Sequence, residues 1–389
     1  MTTLTLTASP ARPRLLTRPL LLVSAADFLG LTSFYLLLSV VPAYVAGGGV
    51  GAGLSTGTLM LSTVAAELAL PRLLARFGYR TVLAAGLLLL GLPALALPIS
   101  AGLPVVLAVC VLRGAGLATI FVVCGAWGAE LIPASRRGEG LGVLGVVAGV
   151  PAVVGMPAGL WLATQIGYEA VFTAGAVLAL LGLAALPALP GTTGRVAAHG
   201  GMLAAARKPT LARPAVVFAG AAMLSGIVAT FLPAALPHAG SGFIAFALLL
   251  HAVTGTAARW WAGVFGDRHG PRRLLVPGVV TGAAGLAVLV VTTHPVAVLA
   301  GMAVFGAGFG VVQNASMAVL LQSTPPAQYG VVTALWSVAY DTGFGAGALG
   351  FGLLATTTGY PVGFAAAAAV SLVALIALRQ KASRAPAPQ

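Results

Sequence analysis

Along this chain, apolar stretches about 20 residues long, each enough to cross roughly 30 Å of bilayer hydrocarbon as a helix, alternate with short breaks of Gly, Pro and charge. Twelve spans are predicted, over 20–46, 54–75, 81–100, 104–130, 139–163, 170–190, 214–236, 241–262, 274–293, 295–322, 328–355 and 361–379. One longer break, Gly191 to Arg213, interrupts the hydrophobic pattern with polar, glycine-rich and basic residues and reads as a linker. It divides the chain into an N-terminal six-helix bundle (1–190) and a C-terminal one (214–389), with 191–213 between them. Six is even, so the two halves enter the membrane in the same sense, as a parallel repeat about the membrane normal.

The repeat is legible in the residues. Gly263 to Arg273, GVFGDRHGPRR, is a short charged turn between two spans, and Pro71 to Thr81, PRLLARFGYRT, is a degenerate copy of it 192 residues earlier. The same offset aligns Gly114, Ala115 and Gly116 with Gly306, Ala307 and Gly308. It also aligns Pro133 and Gly138 with Pro325 and Gly330, and Gly167, Tyr168 and Phe172 with Gly359, Tyr360 and Phe364. Abundant Gly and Ala explain the second cluster by coincidence; they do not explain matched Arg, Pro, Tyr and Phe. The pattern indicates an internal duplication.

With 59% apolar residues, 7% charged residues and a mean hydropathy of +1.04, the chain lacks the roughly 25% of charge that covers a soluble domain. This is an all-α membrane protein. The net charge of +13 would suggest nucleic-acid binding in a soluble protein. Here its placement decides otherwise: with the N-terminus cytoplasmic, 19 of the 20 Lys and Arg fall on the cytoplasmic side and none in an outer loop. That is the positive-inside distribution, with both termini cytoplasmic and no nucleic-acid partner. Arg12, Arg14 and Arg18 precede the first span, and Arg379, Lys381 and Arg384 follow the last. The polar, basic N-terminus is read as preceding a retained first helix rather than a cleaved signal. Cys110 and Cys124 share one span, so neither a disulfide framework nor a metal site is expected. The excess of Arg over Lys, with much Ala and Gly, fits a high-GC bacterial genome.

Two six-helix halves, a long central cytoplasmic loop and a G-x-x-x-D-R-x-G-x-R-R-like turn carried by Gly263, Gly266, Asp267, Arg268, Gly270, Arg272 and Arg273 resemble the major facilitator superfamily of secondary transporters. The resemblance covers nearly the whole chain. It implies that this turn, with Arg76 and Arg80 of the first-half copy, latches the halves on the cytoplasmic side. The first-half copy departs from the pattern, with Pro71 at the first Gly position and Ala75 at the Asp position. ELIPASRRG, from Glu130 to Gly138, is similar to the family's loop after the fourth helix, and Glu130 and Arg137 become partners in the same charge network or a solvated turn. In the fourth span Arg113, Gly114 and Gly116 match part of the family's R-x-x-Q-G-x-G pattern, with Cys110 where its Arg stands. The fifth span, Gly145 to Gly159, is dense in Gly and Pro and loosely similar to the corresponding helix of drug/proton antiporters.

Asp27, Glu67, Arg113 and Asp341 are the ionisable groups other than His that fall well inside predicted spans. Each costs about 2.5 to 3.5 kcal/mol or more at a helix centre and so requires a partner, a wet cavity or a proton. On the family's arrangement Asp27 and Arg113 face a central cavity, with Glu67 near enough to compete for the same guanidinium. A carboxylate whose distance to Arg113 changes with conformation can then bind and release a proton. Structural ion pairs or polar braces between helices remain the alternative for each. Candidate cavity groups are Phe34 and Tyr35, His251, Gln313 and Asn314, and Trp336 and Tyr340. Phe34 lies seven residues from Asp27, and Trp336 four from Tyr340, so each pair shares a helical face.

The expectation is a monomeric proton-coupled exporter of a small amphiphilic organic compound or drug in a bacterial cytoplasmic membrane. Its partners are that substrate, protons and the lipid bilayer, with no metal or organic cofactor. An uptake symporter is the nearest alternative, and a non-transporting receptor or scaffold a more distant one. No catalytic Ser/His/Asp, His-Glu-x-x-His or paired-Asp arrangement stands at a span centre, so an enzyme is not expected.

Overall fold

The computed structural model describes residues 15–133, 136–189, 202–325, 328–373 and 375. Among the described residues the regular structure is helical. The first half holds α1 (Arg18–Leu38), α2 (Val40–Tyr44), α3 (Gly48–Gly91), α4 (Leu103–Leu131), α5 (Arg137–Ile166) and α6 (Tyr168–Leu181). Then come α7 (Met202–Arg207), α8 (Pro209–Ala235), α9 (Ser241–His269), α10 (Arg272–Val288), α11 (Pro295–Gln322), α12 (Tyr329–Thr358) and α13 (Tyr360–Val373). Several helices open with Pro in the first turn, where its missing N–H has no intrahelical partner to lose; α4, α8 and α11 do so.

Eight stretches among the described residues are long and apolar enough to cross a membrane. The one from Gly48 to Ile99 supplies two spans, because Gly78 (φ 73°, ψ 168°) turns the chain back on itself. Packing requires this reversal: Gly114 meets Leu59 on one limb of α3 while Gly116 meets Leu90 on the other. Along an unbroken helix those two residues would stand about 45 Å apart, at 1.5 Å per residue. With α10, α12 and α13, which are shorter or more polar, the spans number twelve and form two six-helix bundles. Of the expected linker, residues 191–201 lie outside the described residues. Its remainder holds α7 and the first turn of α8, so the seventh span starts at Pro209 rather than at 214. Arg12, Arg14, Arg195, Arg379, Lys381 and Arg384 also lie outside the described residues.

The duplication expected from the residues recurs in the backbone. Gly78 and Gly270 both take positive φ, 73° and 87°, at matched turns, and Gly167 and Gly359 do so at 89° and 76°. Only glycine adopts these angles without strain. Side-chain-free contacts repeat in the same register. A Cβ on Gly114 would meet the Leu59 carbonyl, and one on Gly306 the His251 carbonyl, 192 residues on. Gly116 packs on Gly86 and Leu90, as Gly308 does on Gly278 and Gly282. In lipid, where apolar burial does not drive helices together, such close backbone approach is a main source of cohesion.

The halves meet along two seams related by the same repeat, α3 against α12 and α5 against α9. Described Lys and Arg side chains cluster at one end of the bundle, in the α3 turn, at the starts of α5 and α8, and between α9 and α10. That end is called the basic face here, and the opposite end the far face.

Candidate functional site between the two halves

The far ends of the seams are bonded together. Ser39, between α1 and α2, donates to the Ala229 carbonyl of α8 at 2.9 Å, and the Thr230 hydroxyl donates to Thr56 of α3 at 3.0 Å. At the second seam Thr164 of α5 donates to Ser241 of α9 at 2.7 Å. Gly49 and Gly53 lie against Gly352 and Ala348, and Gly57 against Leu349, so the α3 and α12 backbones nearly touch there. Ser39, Thr56 and Thr230 were not anticipated from the sequence. A Ser or Thr in a membrane helix satisfies itself on its own i−4 carbonyl, as Thr32, Thr254 and Thr256 do here, so residue type alone does not reveal which ones reach across.

Below this seal, toward the middle, lie the buried acids. Asp27, Glu67 and Asp341 are 7%, 5% and 8% exposed. Asp27, on α1, acts electrostatically on Cys124 of α4 and on Tyr35. Glu67, on α3, feels the charge of Asp341 on α12, across the seam. Tyr35 lies within electrostatic reach of Asp341, Arg259 and Asp27, and Tyr340 within reach of Tyr35 and Asp341. Arg259 donates to Gln313 at 3.3 Å, linking α9 to α11. Four of the expected groups, Tyr35, Glu67, Tyr340 and Asp341, therefore interact across the place where the halves meet, while Asp27 lies about two turns from Tyr35 on α1, toward Cys124.

Arg113 does not join them, and the expected competition of Asp27 and Glu67 for its guanidinium is not found among the described residues. It is 1% exposed and donates to the carbonyls of Leu90, at 2.6 Å, and Ser33, at 3.2 Å. The local sequence explains the first bond. Past Gly91 the chain tightens into a 3-10 segment, Leu92–Ile99, that carries Pro93. An i→i+3 bond to the Leu90 carbonyl would have to come from Pro93, which has no N–H, so the carbonyl is left for the guanidinium. A small apolar crevice lined by Phe34, Leu37, Ser55, Thr56, Leu59 and Cys110 reaches Arg113.

The other expected cavity groups belong mainly to the second half. Trp336 and Tyr340 stack on Phe218 of α8 at 4.3 and 5.7 Å, and the Trp336 indole donates to Ser316 at 3.0 Å. His251 stacks on Phe305 at 4.8 Å, between α9 and α11. These two residues occupy the positions equivalent to Leu59 and Arg113, so the repeat has exchanged a cation for an aromatic pair. Asn314 packs toward Gly263. Phe34 meets Tyr35 edge to face at 4.9 Å.

At the basic face, Gly266 accepts the Gly270 N–H at 2.8 Å and closes the α9 turn, leaving Asp267, Arg268 and Arg272 exposed. Arg272 reaches Ser323 at 3.5 Å. Arg76 lies over the Phe77 ring, and Arg80 is exposed. Glu130 accepts from the Tyr79 hydroxyl at 2.7 Å, and Tyr79 stacks on Trp127. The Arg137 side chain lies outside the described residues. Tyr79 was missed by the sequence reading, although it stands next to Gly78 in the turn motif.

The sequence profile of the Major Facilitator Superfamily matches residues 20–258 and 215–389. The chain belongs to this superfamily of membrane transporters. A "Chloramphenicol resistance protein" of Streptomyces lividans is 32% identical over 188 residues, which span 46% of this chain and 48% of the relative. Among solved structures, nucleoside transporter NupG superposes with a TM-score of 0.76 at 14% identity, over 94% of this chain and all of that one (100%). Peptide transporter POT in complex with sulfate superposes with a TM-score of 0.73 at 15% identity, over 93% of this chain and 94% of that one. These likenesses extend over both superfamily halves and fix the fold.

Proposed function

We propose that this chain exports a small amphiphilic or apolar organic compound in exchange for protons, its two halves rocking about a site at mid-membrane. The observation that carries the reading is the withdrawal of Asp27, Glu67 and Asp341 from water, with Glu67 and Asp341 interacting across the seam between the halves. Ionisable groups at that depth are costly and are kept where a proton or a charged substrate group passes. Tyr35 and Tyr340 give the same place an aromatic, hydrogen-bonding surface suited to an amphiphile. Export is supported by the half-length similarity to a chloramphenicol resistance protein. The clustering of Lys and Arg supports a cytoplasmic basic face. A seal at the far face then leaves the site to be reached from the cytoplasm, with the Asp267 and Arg268 turn as the opposite gate.

The test is flux in proteoliposomes under an imposed pH gradient, with a compound panel beginning with chloramphenicol. Gradient-driven movement is expected in the unaltered protein and is lost in Asp27→Asn or Asp341→Asn while the protein remains in the membrane. Normal gradient dependence in both variants removes these residues from coupling. Absence of flux for every compound favours a non-transporting role.

A further inference from the structure

Glu67 and Asp341 come from different halves, and their placement says more than either residue alone. Along the first seam Gly53 packs on Ala348 and Gly345 on Met60, so the two helices run antiparallel in a defined register. Glu67 continues the stripe of Met60, seven residues on, and Asp341 that of Gly345 and Ala348, four and seven residues back. By this register Glu67 sits about one turn nearer the basic face than Asp341. Side chains on a helix lean toward its N-terminus. That tilts Glu67 toward the far face and Asp341 toward the basic face, closing the gap between them. Their electrostatic interaction agrees with this placement.

Among the described residues neither Arg113 nor Arg259 is bonded to either carboxylate. Glu67 is 5% exposed, and its Oε2 is fully buried without a hydrogen-bond partner. The two nearby cations keep their charge but direct their hydrogen bonds elsewhere. From α4, Arg113 is held by two backbone carbonyls. From α9, Arg259 is bonded to Gln313. From α1, Tyr35 interacts with Asp341, and from α12 itself Tyr340 does; Asp27 acts on Tyr35 from further along α1, and α8 carries Arg213 alone, in its first turns at the basic end. Two carboxylates buried side by side in low dielectric repel strongly and are relieved by one positive charge between them. A single proton shared between the two carboxylates supplies that charge and needs no further ligand.

We infer that Glu67 and Asp341 form one proton-binding site shared by the two halves, holding a single proton across the α3–α12 seam. This deepens the proton-coupled reading and rests on it for its role in transport, with Asp27 as a separate group. Because each half contributes one oxygen donor or acceptor, the occupancy of the site is tied to how the halves meet.

Proton uptake is counted by a pH-sensitive dye on purified full-length protein in nanodiscs, without substrate or gradient. The unaltered protein is expected to bind one proton more than Glu67→Gln/Asp341→Asn. Each single variant is expected to bind as many as the unaltered protein, since the remaining acid takes the proton. A difference of two protons, with one lost in each single variant, means independent sites and overturns the inference, as does a difference of zero. Replacing choline by sodium should leave the count unchanged; suppression by sodium would make a metal ion the occupant and also overturn it. Should the charge variants fail to fold, Glu67→Cys/Asp341→Cys in a chain with Cys110 and Cys124 replaced by Ser is expected to be cross-linked within one molecule by a short bifunctional thiol reagent. Absence of the cross-link refutes the juxtaposition. A one-proton count without gradient-driven flux would refute proton coupling while leaving the shared site intact.

Discussion

Arg113 shows how much a single residue's environment can differ from what its charge suggests. A cation in mid-membrane invites a carboxylate partner, and the sequence offers Asp27 and Glu67 at suitable depth. The guanidinium instead takes the carbonyls of Leu90 and Ser33. The controlling residue is Pro93, which bears no charge and frees a carbonyl by lacking an N–H. A double-mutant cycle between Arg113→Gln and Asp27→Asn, read by reversible unfolding in detergent, is expected to be additive within about 0.5 kcal/mol, as for residues with no shared partner. A coupling of several kcal/mol, as a buried ion pair gives, would contradict this assignment.

At the scale of helices and turns, the repeat was legible because glycine does work that no other residue does. Gly78, Gly167, Gly270 and Gly359 hold positive φ at matched turns, and the Gly114/Gly116 and Gly306/Gly308 pairs admit neighbouring backbones. The same turns mark the ends of spans, which is why the number and sense of the helices could be read. Helix starts were less legible. The polar sequence ahead of Pro214 reads as loop, yet Pro209 in the first turn is compatible with the helix and α8 begins there. That Asp27, Glu67 and Asp341 lie buried was legible from the apolar spans around them, whereas the Ser39, Thr56 and Thr230 bonds were not, for a hydroxyl bonds its own helix as readily as a neighbour. Gly78→Ala and Gly270→Ala are each expected to destabilise by about 1 to 3 kcal/mol, the cost of a side chain in a glycine-only conformation. Thermal unfolding in nanodiscs checks this, and similar losses for both variants would follow from their matched geometry. By contrast Gly145→Ala, which meets open space, is expected to change little.

For the molecule as a whole, the hydroxyl bonds at the far face are individually weak closures between the halves. An interhelical hydrogen bond within the membrane is worth about 0.6 kcal/mol on average, so Thr230→Val should raise the population open at the far face about threefold. Spin labels at Ala46 and His238 would report it as added long-distance density in pulsed electron resonance, and an unchanged distribution would mean the bond does not hold the seal. In the proposed cycle the basic face carries the other gate, with the Glu67 and Asp341 pair between the two. The claim on which the account depends is that transport requires the halves to part at the far face. It is tested most directly by Thr56→Cys/Thr230→Cys, at positions whose hydroxyls lie 3.0 Å apart, in proteoliposomes under an imposed pH gradient. The expected result is that oxidation stops flux and reduction restores it. Undiminished flux through the cross-linked protein would contradict the account.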